Sequence, residues 1–127
     1  MCHDLNNLTE QIIGLAIKVH RSLGPGLLES AYEVCLNHEL TAIGLKVERQ
    51  KTQPVTYEGV IIDCGYRIDL LVENQIILEL KAVEKVLSIH KAQLLSYLRL
   101  SNRKIGLLIN FHSTYLKDGI YRIVNNF

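Results

Sequence analysis

Proline is nearly absent, at two residues in 127, and glycine stands at eight, which excludes collagen-like and proline-rich chains. Cysteine is scarce and scattered. Cys2, Cys35 and Cys64 make an odd set with no disulfide framework, and Cys35 with His38 lacks the second pair a zinc site needs. Reduced thiols in a cytoplasmic protein are the expectation. No apolar run approaches the ~20 residues that span a bilayer, so no membrane association is expected. The start, MCHDLNNLTEQ, lacks the basic stretch, apolar run and cleavage site of a secretory signal. Neither sign of charge dominates, with 14 Lys+Arg against 13 Asp+Glu, which argues against a polyanion binder working through bulk charge. A local basic face is still compatible with that balance. Residues 1–60 hold 5 basic and 7 acidic groups, and residues 61–127 hold 9 and 6.

What is present is apolar. Hydrophobic residues make up 48% of the chain, enough for a packed core and too much for a disordered segment. The length is that of one domain, residues 1–127, with 1–7 expected as a flexible N-terminus. Residues 8–22 carry Ile12, Ala16 and Val19 at helical spacing, and Asn7 with Glu10 resembles a helix start. Leu23-Gly24-Pro25-Gly26 is a turn, and a second helix is expected over Leu27–Leu40, with Gly44 just beyond it. Strands follow. Gln53–Tyr57 and Val60–Ile62 flank Glu58-Gly59, while Arg67–Val72 and Gln75–Leu80 flank Glu73-Asn74. A helix over 88–100 turns Leu87, Leu94, Leu95 and Leu98 to the core, and Lys104–Asn110 and Ile120–Val124 are the last strands. The strand–helix–strand passage predicts a parallel pair, hence an α/β fold with a mixed central sheet flanked by helices.

The chemistry concentrates in Gly65-Tyr66-Arg67-Ile68-Asp69 and in Ile77-Leu78-Glu79-Leu80-Lys81. Alternation puts Glu79 and Lys81 on one strand face, and a hairpin brings Asp69 within reach. By the same alternation Arg67 shares the face of Asp69. Paired carboxylates hold Mg²⁺ because hard cations prefer oxygen ligands, and a lysine beside them can orient water and offset developing charge. The bland alternative is a mutual Glu79–Lys81 ion pair, since unpaired charge on an apolar inner strand is costly. Glu29 and Tyr32 share a face of the second helix, with Glu33 one turn beyond Glu29. His90, Gln93 and Tyr97 form a polar stripe on the later helix suited to phosphate and base contacts. His20 faces either the site or the core, with the core or a capping role the favoured expectation. Asn110 and His112 end a strand, and Lys85, Lys91, Arg99, Arg103 and Lys104 are weaker candidates for phosphate contact.

GLLESAY at 26–32, RID at 67–69, ELK at 79–81 and QLLSY at 93–97 resemble the GxxExxY proteins of the PD-(D/E)XK nuclease superfamily, near its RecB-like branch. The resemblance runs from about Leu8 to Asn110 and implies a restriction-endonuclease-like core. It implies Asp69 and Glu79, with the Leu80 carbonyl, as metal ligands, Lys81 as the catalytic lysine, and Glu29 as a helix-borne acid that completes the cluster through a water or a second metal. Gln93 and Tyr97 match the Q-x-x-x-Y helix motif for substrate contact, with His90 and Tyr32 as further candidates. Ile68 stands where the superfamily's name has proline. The expected activity is phosphodiester hydrolysis with Mg²⁺, for which Mn²⁺ would substitute, on nucleic acid, DNA before RNA. A homodimer is compatible with so small a surface. The alternatives are a nuclease fold that binds or regulates without turnover, and a purely structural subunit.

Overall fold

The apolar spacing near the N-terminus produces the first helix. In the computed structural model, which describes residues 4–127 with positions 64 and 65 given in backbone only, α1 spans Leu5–Leu23 and buries Leu8, Ile12, Ala16 and Val19. Its cap is Asp4, whose carboxylate accepts from the Asn6 N–H at 2.8 Å, rather than Asn7. Residues 5–7, expected to be flexible, are therefore the first turn of α1. Residues 1–3 lie outside the described residues. Helix α2 spans Glu29–Ala42 and buries Tyr32, Leu36 and Leu40, one residue per turn.

Five strands form one sheet in the order β1-β2-β3-β4-β5. They are β1 (Val47–Tyr57), β2 (Val60–Val72), β3 (Ile76–Lys81), β4 (Ile105–Asn110) and β5 (Ile120–Val124). Helix α3, Ser88–Ser101, connects β3 to β4. These two strands run parallel, as expected of a helical crossover, and the other neighbours are antiparallel. Glu58-Gly59 is the two-residue hairpin turn, with φ of 49° and 79°, values that suit a primed turn and suit glycine at its second position. Val60–Ile62 and Arg67–Val72, expected as separate strands, are the two ends of the single 13-residue β2.

The sheet carries a helical layer on each face. Helices α1 and α2 pack on Leu70, Val72, Leu78, Leu80, Leu107 and Ile109. On the other face α3 lays Leu94 and Leu98 on Ile68, Leu71, Ile77 and Leu108. Leu87 was expected in this layer and is instead 49% exposed, because it precedes the first turn of α3. Glycine lets α3 approach closely: a Cβ at Gly106 would stand 2.7 Å from Leu94 Cδ1. Gly106→Ala is expected to overpack this contact and cost about 1–3 kcal/mol, measured by urea unfolding. Among the described residues no helix is long and apolar enough to cross a membrane.

Candidate active site

The site forms where two strands part. The β2–β3 ladder pairs Val72 with Ile76, Leu71 with Ile77 and Leu70 with Leu78, then stops. The next step would oppose Asp69 to Glu79. There the Asp69 carboxylate replaces the ladder, accepting from the Leu80 N–H at 2.8 Å. Alternation also fails along β2: Tyr66, Ile68 and Leu71 all join the α3-side cluster, whereas Leu70 and Val72 join the opposite one. Arg67, expected to share the Asp69 face, is exposed, and Ile68 is the neighbour that turns to the α3 side.

Glu79 is 8% exposed on a strand built, apart from the terminal Lys81, from Ile and Leu. Its Oε1 is buried without a hydrogen-bond partner. The ion pair with Lys81 that would give the bland explanation is not among those formed by the described residues. Burial, reinforced by the neighbouring Asp69 charge, pushes the Glu79 carboxyl from its ordinary 4.5 up to about 9, while Lys81 pulls the other way. Such a group is starved of positive charge. A buried carboxylate oxygen with open acceptor capacity beside a second carboxylate fits a hard divalent cation. Mg²⁺ commonly takes one or two carboxylates and keeps several waters, so this pair is sufficient.

Glu29 comes from the other helical layer. It opens α2, and its Oε1 accepts from the Ala82 N–H, just past β3, at 3.4 Å. It does not join Asp69 and Glu79 in a shared cage: among the described residues no three His, Cys, Asp or Glu side chains are grouped to hold an ion. The acids thus stand as a pair plus an outlying carboxylate, an arrangement in which Glu29 reaches the pair only through a water or a second metal.

Tyr32, expected as a further substrate contact, is fully buried and stacked on Phe111 with ring centroids 4.4 Å apart. Its hydroxyl donates to the Gly24 carbonyl at 2.6 Å and accepts from the Leu27 N–H at 3.1 Å. It therefore locks the Gly-Pro-Gly turn that delivers Glu29. Tyr32→Phe is expected to cost about 1–3 kcal/mol in chemical denaturation, since two turn groups lose their partner. His20 is buried, with Nε2 2.8 Å from the Ser113 carbonyl, in the core role foreseen for it.

On α3 the polar stripe divides. Gln93 is exposed. His90 is partly spent on its own helix start, its Nδ1 accepting from the Leu87 N–H at 3.0 Å. Tyr97 is half-buried and stacks on Tyr66 at 3.5 Å, and the Tyr66 hydroxyl donates to the Tyr97 carbonyl at 3.0 Å. Burial raises the Tyr97 hydroxyl pKa, and the Glu79 and Asp69 charges raise it further, so this ring borders the acid pair. Arg103 is engaged with Asn74, donating to its side-chain oxygen at 2.9 Å.

Two residues noted in the sequence only for their position, Tyr66 and Asn110, take supporting roles that the sequence did not reveal. Tyr66 has no periodic signature and is recognisable only through its partner on α3. Asn110 lies in register with Lys81 and is 5% exposed. Its side chain accepts from the Val83 N–H at 3.1 Å and donates to the Val83 carbonyl at 2.9 Å, clamping the chain that leaves β3.

A family model described as the PD-(D/E)XK nuclease superfamily matches residues 6–123, from α1 into β5. The chain belongs to that superfamily. Its fold is accordingly that of a PD-(D/E)XK nuclease, and the superfamily is one of metal-dependent nucleases whose substrate is nucleic acid. Among solved structures, the chain is similar to the one titled "Crystal structure of SSO0001", with 18% identity and a TM-score of 0.48, over 94% of this chain and 79% of that one. No curated protein matches the sequence.

Proposed function

We propose that this PD-(D/E)XK chain is a Mg²⁺-dependent nuclease that hydrolyses phosphodiester bonds in DNA, of the GxxExxY group near the RecB-like branch. The observation that carries this reading is the orphaned Glu79 oxygen, buried beside Asp69 on an inner strand. Asp69, Glu79 and the Leu80 carbonyl would hold the cation. The N–H and C=O of one strand residue leave on the same edge, so the Leu80 carbonyl faces the side on which its N–H meets Asp69. A divalent cation held there supplies Lewis-acid polarisation of the phosphodiester and activation of water near neutral pH.

The chain's own residues do the rest. Lys81, on the Glu79 side of β3, orients the attacking water and offsets negative charge as it builds on the phosphoryl oxygens. Glu29 acts from the far end of β3 through water. Gln93 and Tyr97 hold the strand being cut, the amide on phosphate or base edges and the ring against a base. Residues 1–127 work as one nuclease domain, in the cytoplasm with reduced thiols, and a pair of these domains would offer a duplex a larger surface than one copy.

The test is cleavage of end-labelled single- and double-stranded DNA and RNA with Mg²⁺, Mn²⁺ or EDTA. Metal-dependent products from DNA are expected, with none in EDTA. Binding that persists in EDTA, with no cleavage under any metal, would make the chain a silent nucleic-acid-binding module instead.

A further inference from the structure

Asp69 lacks a regular rung on both sides. Toward β3 the ladder has ended at Leu70. Toward β1 the register pairs Arg49 with Leu70 and Lys51 with Ile68, and the intervening Gln50–Asp69 rung is missing. The cause lies in β1. Gln50 has φ of 49°, a left-handed conformation inside a strand, adopted by a residue with a Cβ. Such a conformation persists only when its surroundings hold it.

The holding group is Glu33. It is buried on α2, one turn beyond Glu29. Its Oε1 accepts from the Gln50 side-chain amide, and its Oε2 accepts from Arg49 Nη2 at 3.1 Å and Nε at 3.3 Å. One carboxylate thus grips the kinked dipeptide opposite Asp69, from the helix that also presents Glu29.

We propose that Glu33 is a positioning residue for the metal site: through its contact with Gln50 it keeps the β1 backbone kinked and so fixes where Asp69 stands. This rests on the reading of Asp69 as a ligand. Without the latch, residue 50 relaxes toward an extended conformation, the Gln50–Asp69 rung can form, and Asp69 is drawn toward β1. A displacement of about 1 Å at a reacting centre can cost as much as 100-fold in rate. Arg49 donates to Oε2 of the same carboxylate, and not to the Oε1 that holds Gln50.

Five variants separate positioning from bulk stability. Glu33→Ala and Gln50→Ala break the latch. Glu33→Gln keeps an acceptor for Gln50, and Gln50→Gly adopts positive φ without help. Arg49→Ala removes only the ion pair. Two quantities are read: kcat on DNA at saturating Mg²⁺, and the rise in Tm that Mn²⁺ induces without nucleic acid. The two alanine variants of the latch should lose about 10-fold or more in kcat, by the same misplacement argument, and most of the Mn²⁺-induced rise. Glu33→Gln, Gln50→Gly and Arg49→Ala should keep both near wild type even where their own Tm falls.

If Glu33→Ala does not fold, the Gln50→Ala and Gln50→Gly pair carries the test. A folded Gln50→Ala with wild-type kcat and Mn²⁺ response overturns the proposal, as does a Gln50→Gly no better than Gln50→Ala. Should wild type cleave nothing, the nuclease reading fails, while the Mn²⁺ response still decides the positioning claim. A wild type with no Mn²⁺ response overturns both.

Discussion

Glu79→Gln is expected to abolish metal-dependent cleavage and, in EDTA above neutral pH, to make the protein more stable than wild type. The two effects have one cause. In the folded, metal-free protein the Glu79 carboxyl holds its proton up to about pH 9, because burial and the Asp69 charge oppose ionisation. In the unfolded chain it ionises near its ordinary value of 4.5. Below pH 4.5 both states are protonated and the group imposes no penalty. Between 4.5 and about 9 the unfolded state binds fewer protons than the folded one, so wild-type stability falls as pH rises, by about 1.4 kcal/mol per unit at most. Above that window the slope ends.

Glutamine has no proton to lose, so the variant lacks the slope. Its advantage in EDTA should reach on the order of 2–4 kcal/mol at pH 7.5, read as the difference between urea-unfolding free energies of the two proteins. Adding Mn²⁺ should reverse the ranking, since the cation takes the place of the proton in wild type and finds only one carboxylate in the variant. A variant less stable than wild type in EDTA at pH 8, or one that Mn²⁺ stabilises equally, would show that Glu79 is not held in this charge-starved state.

Lys81→Met is expected to lower kcat by about 10²–10³-fold, the usual cost of removing one preorganised group from a developing negative charge. The Mn²⁺ concentration at half-saturation should move little. Lys81 is not a ligand, and its loss removes a repulsive neighbour of the cation while raising the proton affinity of Glu79. Steady-state kinetics with metal titrations separate these quantities. The structural alternative, a strand-stabilising ion pair with Glu79, predicts a loss of folding stability with kcat preserved, and no such pair is formed among the described residues. Retention of more than about a tenth of wild-type kcat would remove Lys81 from the catalytic machinery.

Much of the fold was legible because its signals are local. Glu58-Gly59 between apolar runs marks a hairpin, and Ile120–Val124 is a strand at both predicted ends. The parallel β3–β4 pair follows from a helix lying between two apolar strands. Where reading failed, the deciding partner was distant in sequence or the signal was duplicated. Asn7 with Glu10 imitates a capping pair, but Asp4 makes the bond. Leu87 fits the leucine spacing of α3 yet stands before its first turn. Tyr32 reads as a polar ring one turn from Glu29, and only the folded chain reveals that its hydroxyl is committed to Gly24, eight residues back.

The acid pair itself was visible from alternation and hairpin logic, because Asp69 and Glu79 interrupt apolar strands at positions that face one another. The devices around it were not. A positive φ at Gln50 leaves no trace in a run of polar β1 residues, and nothing in the spacing of Glu33 distinguishes it from a surface glutamate. Tyr66 acts through one hydrogen bond to α3 and Asn110 through a pair to the loop after β3, contacts that no periodicity encodes.

The central claim is that Asp69 and Glu79 hold a divalent cation, and a crystal structure soaked in Mn²⁺ at pH 8 tests it most directly. The account predicts an anomalous-scattering peak bounded by the two carboxylates, on the edge of β3 to which the Leu80 carbonyl points. A fully soaked crystal with no peak between Asp69 and Glu79 would contradict it.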